Sequence, residues 1–188
     1  MARRPPAPQT AEGVLLNTIG VFFGSSSYGT HIVAEKIQVA LALDASAVHN
    51  IRLSRPEDLL GYTHLILGTS TWGEGDIQPD WNEFLPSLRA LDLRGHHVAL
   101  FGLGDQETYP ETFASGLGRL YDAVQATGAT VDGFWPLAGY SFEKSEAVRG
   151  ERFVGLVIDK LNQAPLTNER VAAWAAQLQR CWALPANR

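Results

Sequence analysis

The chain is 188 residues long, 45% hydrophobic and 19% charged, with a formal net charge of −5. That length suits one domain with a substantial core, and the acidic balance speaks against non-specific binding of nucleic acid. A single cysteine, Cys181, leaves no internal disulfide and fits a reducing cytoplasm, and no apolar run is long enough to span a membrane.

Residues 1–13, with Arg3-Arg4 followed by Pro5, Pro6 and Pro8, are expected to form a flexible tail, and residues 14–188 one domain. A twin-arginine export signal is the sharper reading of Arg3-Arg4. Its apolar region would have to be Val14 to Phe23, a run the fold needs as its first strand, so the segment is read as fold.

Thr18 to Phe23 has the composition of a strand buried on both faces. It stops at Gly24 and opens into Ser25-Ser26-Ser27-Tyr28-Gly29-Thr30, after which His31 begins a helical period with Val33, Ile37, Ala40 and Leu41 on one face. Strand, hydroxyl-rich loop and helix aim backbone N–H groups and hydroxyls at one point, at the positive end of a helix dipole. The loop has no Gly-Lys-Ser/Thr and no Gly-x-Gly-x-x-Gly, so both nucleotide fingerprints are absent. It also has no Lys or Arg, so its donors to an anion are neutral. Read alone, it is equally an ordinary serine-rich turn.

The same pattern recurs twice. His64 to Gly68 is followed by the loop Thr69 to Asp76 and a helical segment from Trp81 to Leu91; Val98 to Gly102 is followed by Leu103 to Tyr109 and a helical segment from Thr112 to Thr127. A weaker strand lies near Ala47 to Leu53. Another runs from Ala129 to Trp135 and resumes at Phe153 to Ile158, split by a polar loop over 136–152. Thr167 is placed to cap a last helix reaching about Trp182. Alternating strands and helices imply a parallel sheet with helices on both faces, and right-handed crossovers bring the three loops to one edge.

From Thr18 to Leu184 the chain resembles a long-chain flavodoxin. The resemblance is carried by Gly20-Val21-Phe22-Phe23-Gly24-Ser25, Leu65-Ile66-Leu67-Gly68-Thr69, Thr71-Trp72-Gly73-Glu74-Gly75 and Trp81-Asn82-Glu83-Phe84-Leu85-Pro86. More specific still are Ala99 to Gln106 with Tyr109-Pro110, Phe153-Val154-Gly155-Leu156, and Asn168 to Trp174. It implies a three-layer α/β fold: a five-stranded parallel sheet in the order 2-1-3-4-5, its last strand split by the inserted loop. It further implies one non-covalently bound FMN at the switch point between strands 1 and 3, a general rule of which flavodoxins are themselves the standing example.

By the same resemblance the phosphate is held at Ser25, Ser26, Ser27, Tyr28, Gly29 and Thr30, with Tyr28 standing where the family has glycine. Tyr28 could narrow the loop, shift it by one residue, or turn its ring to solvent. Ser70, Thr71, Trp72 and Gly73 form the second contact loop, and Trp72 and Tyr109 are expected to sandwich the flavin ring by stacking. Gly73 is expected to rotate its carbonyl towards flavin N5 when the first electron arrives, a motion that glycine makes cheap. Gly104 and Asp105 are expected at the pyrimidine edge. Glu74, Asp76 and Asp105 are expected to oppose the second electron; the alternative is that Glu74, Asp76 and Asp80 form only a solvated rim. Lys160-Leu161 replaces a usually acidic pair, and Ser70 a common proline.

The implied function is a monomeric, low-potential one-electron carrier between a reductase and acceptor proteins such as nitrogenase, with no membrane or nucleic-acid partner. The alternative is an FMN-dependent NAD(P)H:quinone reductase, because Tyr28-Gly29 is similar to the loop of such enzymes. A receiver-type signalling domain needs acidic residues after the first strand, and Gly24 to Ser27 offers none. His31, His49, His64, His96 and His97 show no metal-ligand spacing and are read as structural, as are Trp81, Trp135, Trp174 and Trp182.

Overall fold

The computed structural model describes residues 18–184, together with the backbone of Thr10–Ala11 and Val14–Leu15, which pair antiparallel. The tail expected over 1–13 otherwise lies outside the described residues. Val14–Leu15 is separate from the first sheet strand, β1, which spans Ile19–Phe23 and is buried throughout. The other strands of the main sheet are β2 (Val48–Asn50), β3 (His64–Trp72), β4 (His97–Leu103) and β5 (Leu156–Ile158). They are parallel and lie in the order β2-β1-β3-β4-β5, the order implied by the resemblance. The long helices are α1 (Gly29–Ala40), α2 (Pro79–Arg89), α3 (Ser115–Gln125) and α4 (Thr167–Cys181).

Period-two alternation divides the core. Phe22, Leu65, Leu67, Val98, Leu100 and Val157 face α2 and α3, where they meet Trp81, Leu85, Leu117 and Leu120. Their neighbours Val21, Phe23, Ile66, Ala99, Phe101 and Ile158 face α1 and α4, against Val33, Ile37, Val171, Trp174 and Leu178. Strands apolar on both faces must be covered on both, which is why the sheet sits between two helical layers. Trp81 and Trp174 are fully buried, and each indole N–H donates to a backbone carbonyl: Gly68 O at 2.6 Å and Gly133 O at 2.7 Å. Both are packing residues, as the sequence suggested. Thr167 is the first residue of α4 and not its cap: the turn Ala164–Leu166 runs straight into the helix, with Leu166 at the cap position and no side-chain bond there.

The last strand is split as expected, but at different residues. Thr130–Asp132 pairs with the first half of β4 and Leu156–Ile158 with the second half, in line along one edge. The insert between them is longer than 136–152 and has its own antiparallel sheet, Val148–Arg149, Arg152–Phe153 and Trp135–Pro136. Tyr140 pins it to the main sheet. Its hydroxyl donates to Val157 O at 2.5 Å and accepts from Trp135 Nε1 at 3.1 Å, and the Arg170 guanidinium lies 4.0 Å from its ring centre.

Burial pushes the Tyr140 phenol up to about 12, against the pull of Arg170 and of the bond from Trp135. The unfolded chain releases this proton near pH 10 and the folded chain holds it until about 12. The neutral phenol therefore contributes fully below pH 10, and its contribution is lost as pH rises towards 12, a difference on the order of 3 kcal/mol. Urea denaturation from pH 8 to 12 is expected to show the wild type losing about that much more stability than Tyr140→Phe. Parallel curves for the two proteins would contradict it.

Candidate functional site at the carboxyl edge of the sheet

Loops leaving the carboxyl ends of β1, β3 and β4 converge with the turn after β5. Together they bound a cavity of about 470 Å³, a size proper to a small-molecule site. Of the residues expected at the site, Ser27, Gly29, Ser70, Thr71, Trp72, Gly73, Gly104, Asp105 and Tyr109 line it. Leu103, Thr112, Phe113, Ala114, Lys160 and Leu161 complete the wall.

At the first loop, α1 begins directly after Tyr28 with no side-chain cap and no acid in its first turn. Its leading amides therefore have no partner within the helix and lie at the positive end of the helix dipole, where Gly29 lines the cavity. Ser25 Oγ is buried and has no hydrogen-bond partner. Ser26 Oγ accepts from Gln78 Nε2 at 3.1 Å. Gln78 is itself fully buried, and its Oε1 accepts the Trp81 amide at the head of α2. The serine loop is thus braced against α2 by a residue that sequence reasoning missed. Thr30 is buried in the first turn of α1. A methyl group placed on Gly29 would project between Leu103 Cδ2 (3.2 Å), Lys160 Nζ (3.8 Å) and Ser27 Oγ (3.9 Å), so the bare glycine leaves a cradle open there.

Tyr28 adopts the third of its open alternatives. Its backbone is left-handed, φ 62°, the residue is 60% exposed, and its ring meets His31 edge-on with centroids 4.6 Å apart. The residue thus takes the conformation that glycine adopts freely, at a cost of about 1–2 kcal/mol. Tyr28→Gly is expected to raise stability by about 0.5–1 kcal/mol, the relieved strain exceeding glycine's larger unfolded-state entropy. Tyr28→Ala keeps the left-handed cost and is expected to gain nothing. Equal denaturation midpoints for the glycine and alanine variants would refute the strain.

The second loop is a tight turn. Trp72 O accepts Gly75 N–H at 3.1 Å, and Asp76–Ile77 folds back on Thr71 and Trp72. The Trp72 indole N–H donates to Ser70 Oγ at 2.9 Å, so the serine in the family's proline position fixes the ring's direction. Thr71 Oγ1 accepts the Gly116 amide at the start of α3. Asp76 pairs with Arg119 at 2.7 Å, which neutralises one of the three carboxylates considered near the ring.

In the third loop Asp105 Oδ1 accepts the amides of Glu107 (3.2 Å) and Thr108 (3.0 Å) and the side-chain N–H of Asn162 (2.9 Å). Burial raises its carboxyl pKa, but these bonds outweigh burial and hold it below the ordinary range. The carboxylate therefore shapes the turn that presents Tyr109. Asn162 also donates to Asp159 Oδ2 at 2.8 Å, and that same oxygen accepts the Gln106 amide at 3.1 Å. Asp159 is fully buried. Its partners lie 53 residues away or in a short turn, so its role had no local sequence signal. Trp72 and Tyr109 are 41% and 47% exposed, which leaves aromatic faces open at the cavity mouth.

The arrangement suits a flat aromatic ligand with an anionic tail. Aromatic faces and apolar walls lie at one end, and free amides, hydroxyls and one ammonium at the other.

The family model that matches, described as "Flavodoxin", covers residues 21–174. A flavodoxin of Klebsiella pneumoniae is 47% identical over 161 residues, 85% of this chain and 92% of its own. Flavodoxin 1 of Azotobacter vinelandii is 43% identical over 168 residues, 87% of this chain and 97% of its own. The crystal structure of Fusobacterium nucleatum flavodoxin bound to flavin mononucleotide is similar at a TM-score of 0.82 and 29% identity, over 88% of this chain and 98% of that one.

Proposed function

The chain belongs to the flavodoxin family, and from that membership we propose that it carries electrons one at a time on a non-covalently held FMN, between a reductase and acceptor proteins. It is an electron-transfer protein and not an enzyme with a substrate of its own. The observation that carries the cofactor reading is one cavity shared by the uncapped head of α1, with Ser27 and Gly29, and by the open faces of Trp72 and Tyr109. The orphaned Ser25 Oγ and the cradle at Gly29 both fit a phosphate.

When bound, FMN supplies a ring that can take up and release single electrons. The protein's part is to bind and orient it. The amides of Gly29 and Thr30, with the hydroxyls of Ser25 and Ser27, would hold the phosphate at the positive end of α1. Trp72, oriented by Ser70, and Tyr109, presented by the Asp105 turn, would stack on the ring and keep water from its faces. Gly73 O would be placed to accept a hydrogen bond from the ring nitrogen that gains a proton on reduction. Gly104 and Asp105 would offer backbone groups to the polar edge of the ring. Because the edge of the cavity stays open beside these aromatics, electrons can pass to a docked partner without a substrate pocket. The Tyr28-Gly29 pair, the ground for a quinone-reductase reading, turns its aromatic ring onto His31 and away from the cavity lining. The exposed Cys181, with no disulfide, supports work in the cytoplasm.

Adding FMN to the apoprotein and reducing it stepwise tests the function. Tight uptake, followed by two well-separated one-electron steps in the absorption spectrum and little NAD(P)H oxidation, is the expected result. A protein that stays colourless with FMN would overturn the reading.

A further inference from the structure

We propose that Lys160 is a cofactor-binding residue whose ammonium gives the phosphate end of the cavity its counter-charge, so that FMN is selected over uncharged flavins by charge as well as by hydrogen bonds. The inference rests on the FMN reading above and deepens it. The serine loop brings no cation of its own, and among the residues lining the cavity Lys160 alone carries a positive side chain. It arrives from the far side of the sheet, at the end of β5, and its Nζ lies 3.8 Å from where a methyl on Gly29 would sit. The ammonium therefore stands beside the first residue of α1.

That position is unfavourable for a lysine left to itself. The head of α1 carries positive partial charge, which repels a cation. Lys160 makes no ion pair and no hydrogen bond among the described residues that would offset the repulsion. Asp105, the carboxylate on the same wall, already accepts three N–H bonds. Nor is the lysine's base free to drift: Asp159, buried just before it, accepts the amides of Leu161 (3.2 Å) and Asn162 (3.0 Å) and fixes the turn. Two positive features held together around an open cradle call for an anion between them. A phosphate monoester, doubly charged near neutral pH, is the anion of matching size and charge.

Titrating the apoprotein with FMN and with riboflavin, read by quenching of flavin fluorescence, tests the role. Lys160→Gln is expected to weaken FMN by about 10- to 100-fold at low salt, the span of one charge-assisted hydrogen bond, and to leave riboflavin unchanged. Lys160→Arg is expected to keep most of the FMN affinity. The salt dependence of FMN binding is expected to flatten in Lys160→Gln. A variant that loses both flavins equally, or shows wild-type FMN affinity, overturns the inference while the FMN reading stands. A wild-type chain that takes up neither flavin overturns both.

Discussion

Asp159→Ala is expected to destabilise the chain by about 3–5 kcal/mol and to weaken FMN binding with it. The carboxylate is fully buried and accepts four N–H bonds: from the amides of Leu161 and Asn162 on Oδ1, and from the Gln106 amide and Asn162 side chain on Oδ2. Truncation leaves those donors without an acceptor, and the Gln106 amide is too deep to recover one from water. An unsatisfied buried donor costs about 1–3 kcal/mol, and this residue serves several. Against a total stability of about 5–15 kcal/mol the loss is large. Flavin binding falls for a separate reason. Asn162 bridges Asp159 and Asp105, and Asp105 shapes the turn that presents Tyr109. Asp159→Asn keeps the volume and one acceptor oxygen, so it is expected to fall between wild type and alanine. Urea denaturation of the apoproteins and FMN titration check both effects; a loss below about 1 kcal/mol would remove Asp159 from its central place.

Gly73→Pro is expected to bring the two one-electron steps of the bound flavin closer together by about 60–120 mV. Gly73 has φ +49°, in the left-handed region, and proline is locked near −65°. The turn closed by Trp72 O and Gly75 N–H then cannot keep its shape, and the Gly73 carbonyl cannot reach the proton added at N5. A strong hydrogen bond of about 1.5–3 kcal/mol is lost from the first step, and 1.4 kcal/mol corresponds to about 59 mV for one electron. Gly73→Ala separates backbone from bulk, because a methyl there meets nothing nearer than Asp76 Oδ2 at 3.8 Å. Alanine tolerates the left-handed region at modest cost, so its shift is expected to be the smaller of the two. Unchanged potentials in the proline variant would end the role assigned to Gly73.

Much of this fold could be read from three apolar runs, each ending on glycine and opening into a polar loop. A buried parallel strand needs an unbroken apolar stretch, and that leaves a plain mark in the sequence. The insert's small sheet left none: strands of two residues are too short to show a period. Trp72 and Tyr109 stood out only through the resemblance; on their own they read equally as ordinary loop aromatics. Gln78, Asp159 and Lys160 were not legible. Gln78 and Asp159 act through partners about 50 residues distant, which only the folded chain brings near. Lys160 stood out only as part of a pair that is usually acidic, since nothing in sequence order ties it to Gly29. Tyr28 was legible as a departure but not in its outcome: sequence alone does not say whether strain is relieved by shifting the loop or accepted in one residue.

The halved last strand has a consequence for crowding. Three residues before the insert and three after it lie along β4, and at the opposite border β2 is also only three residues long. Neither border of the sheet offers a foreign backbone a template long enough to extend. A shuttle must collide with many proteins and leave each of them again. Borders this short keep main chains from zipping together in such encounters.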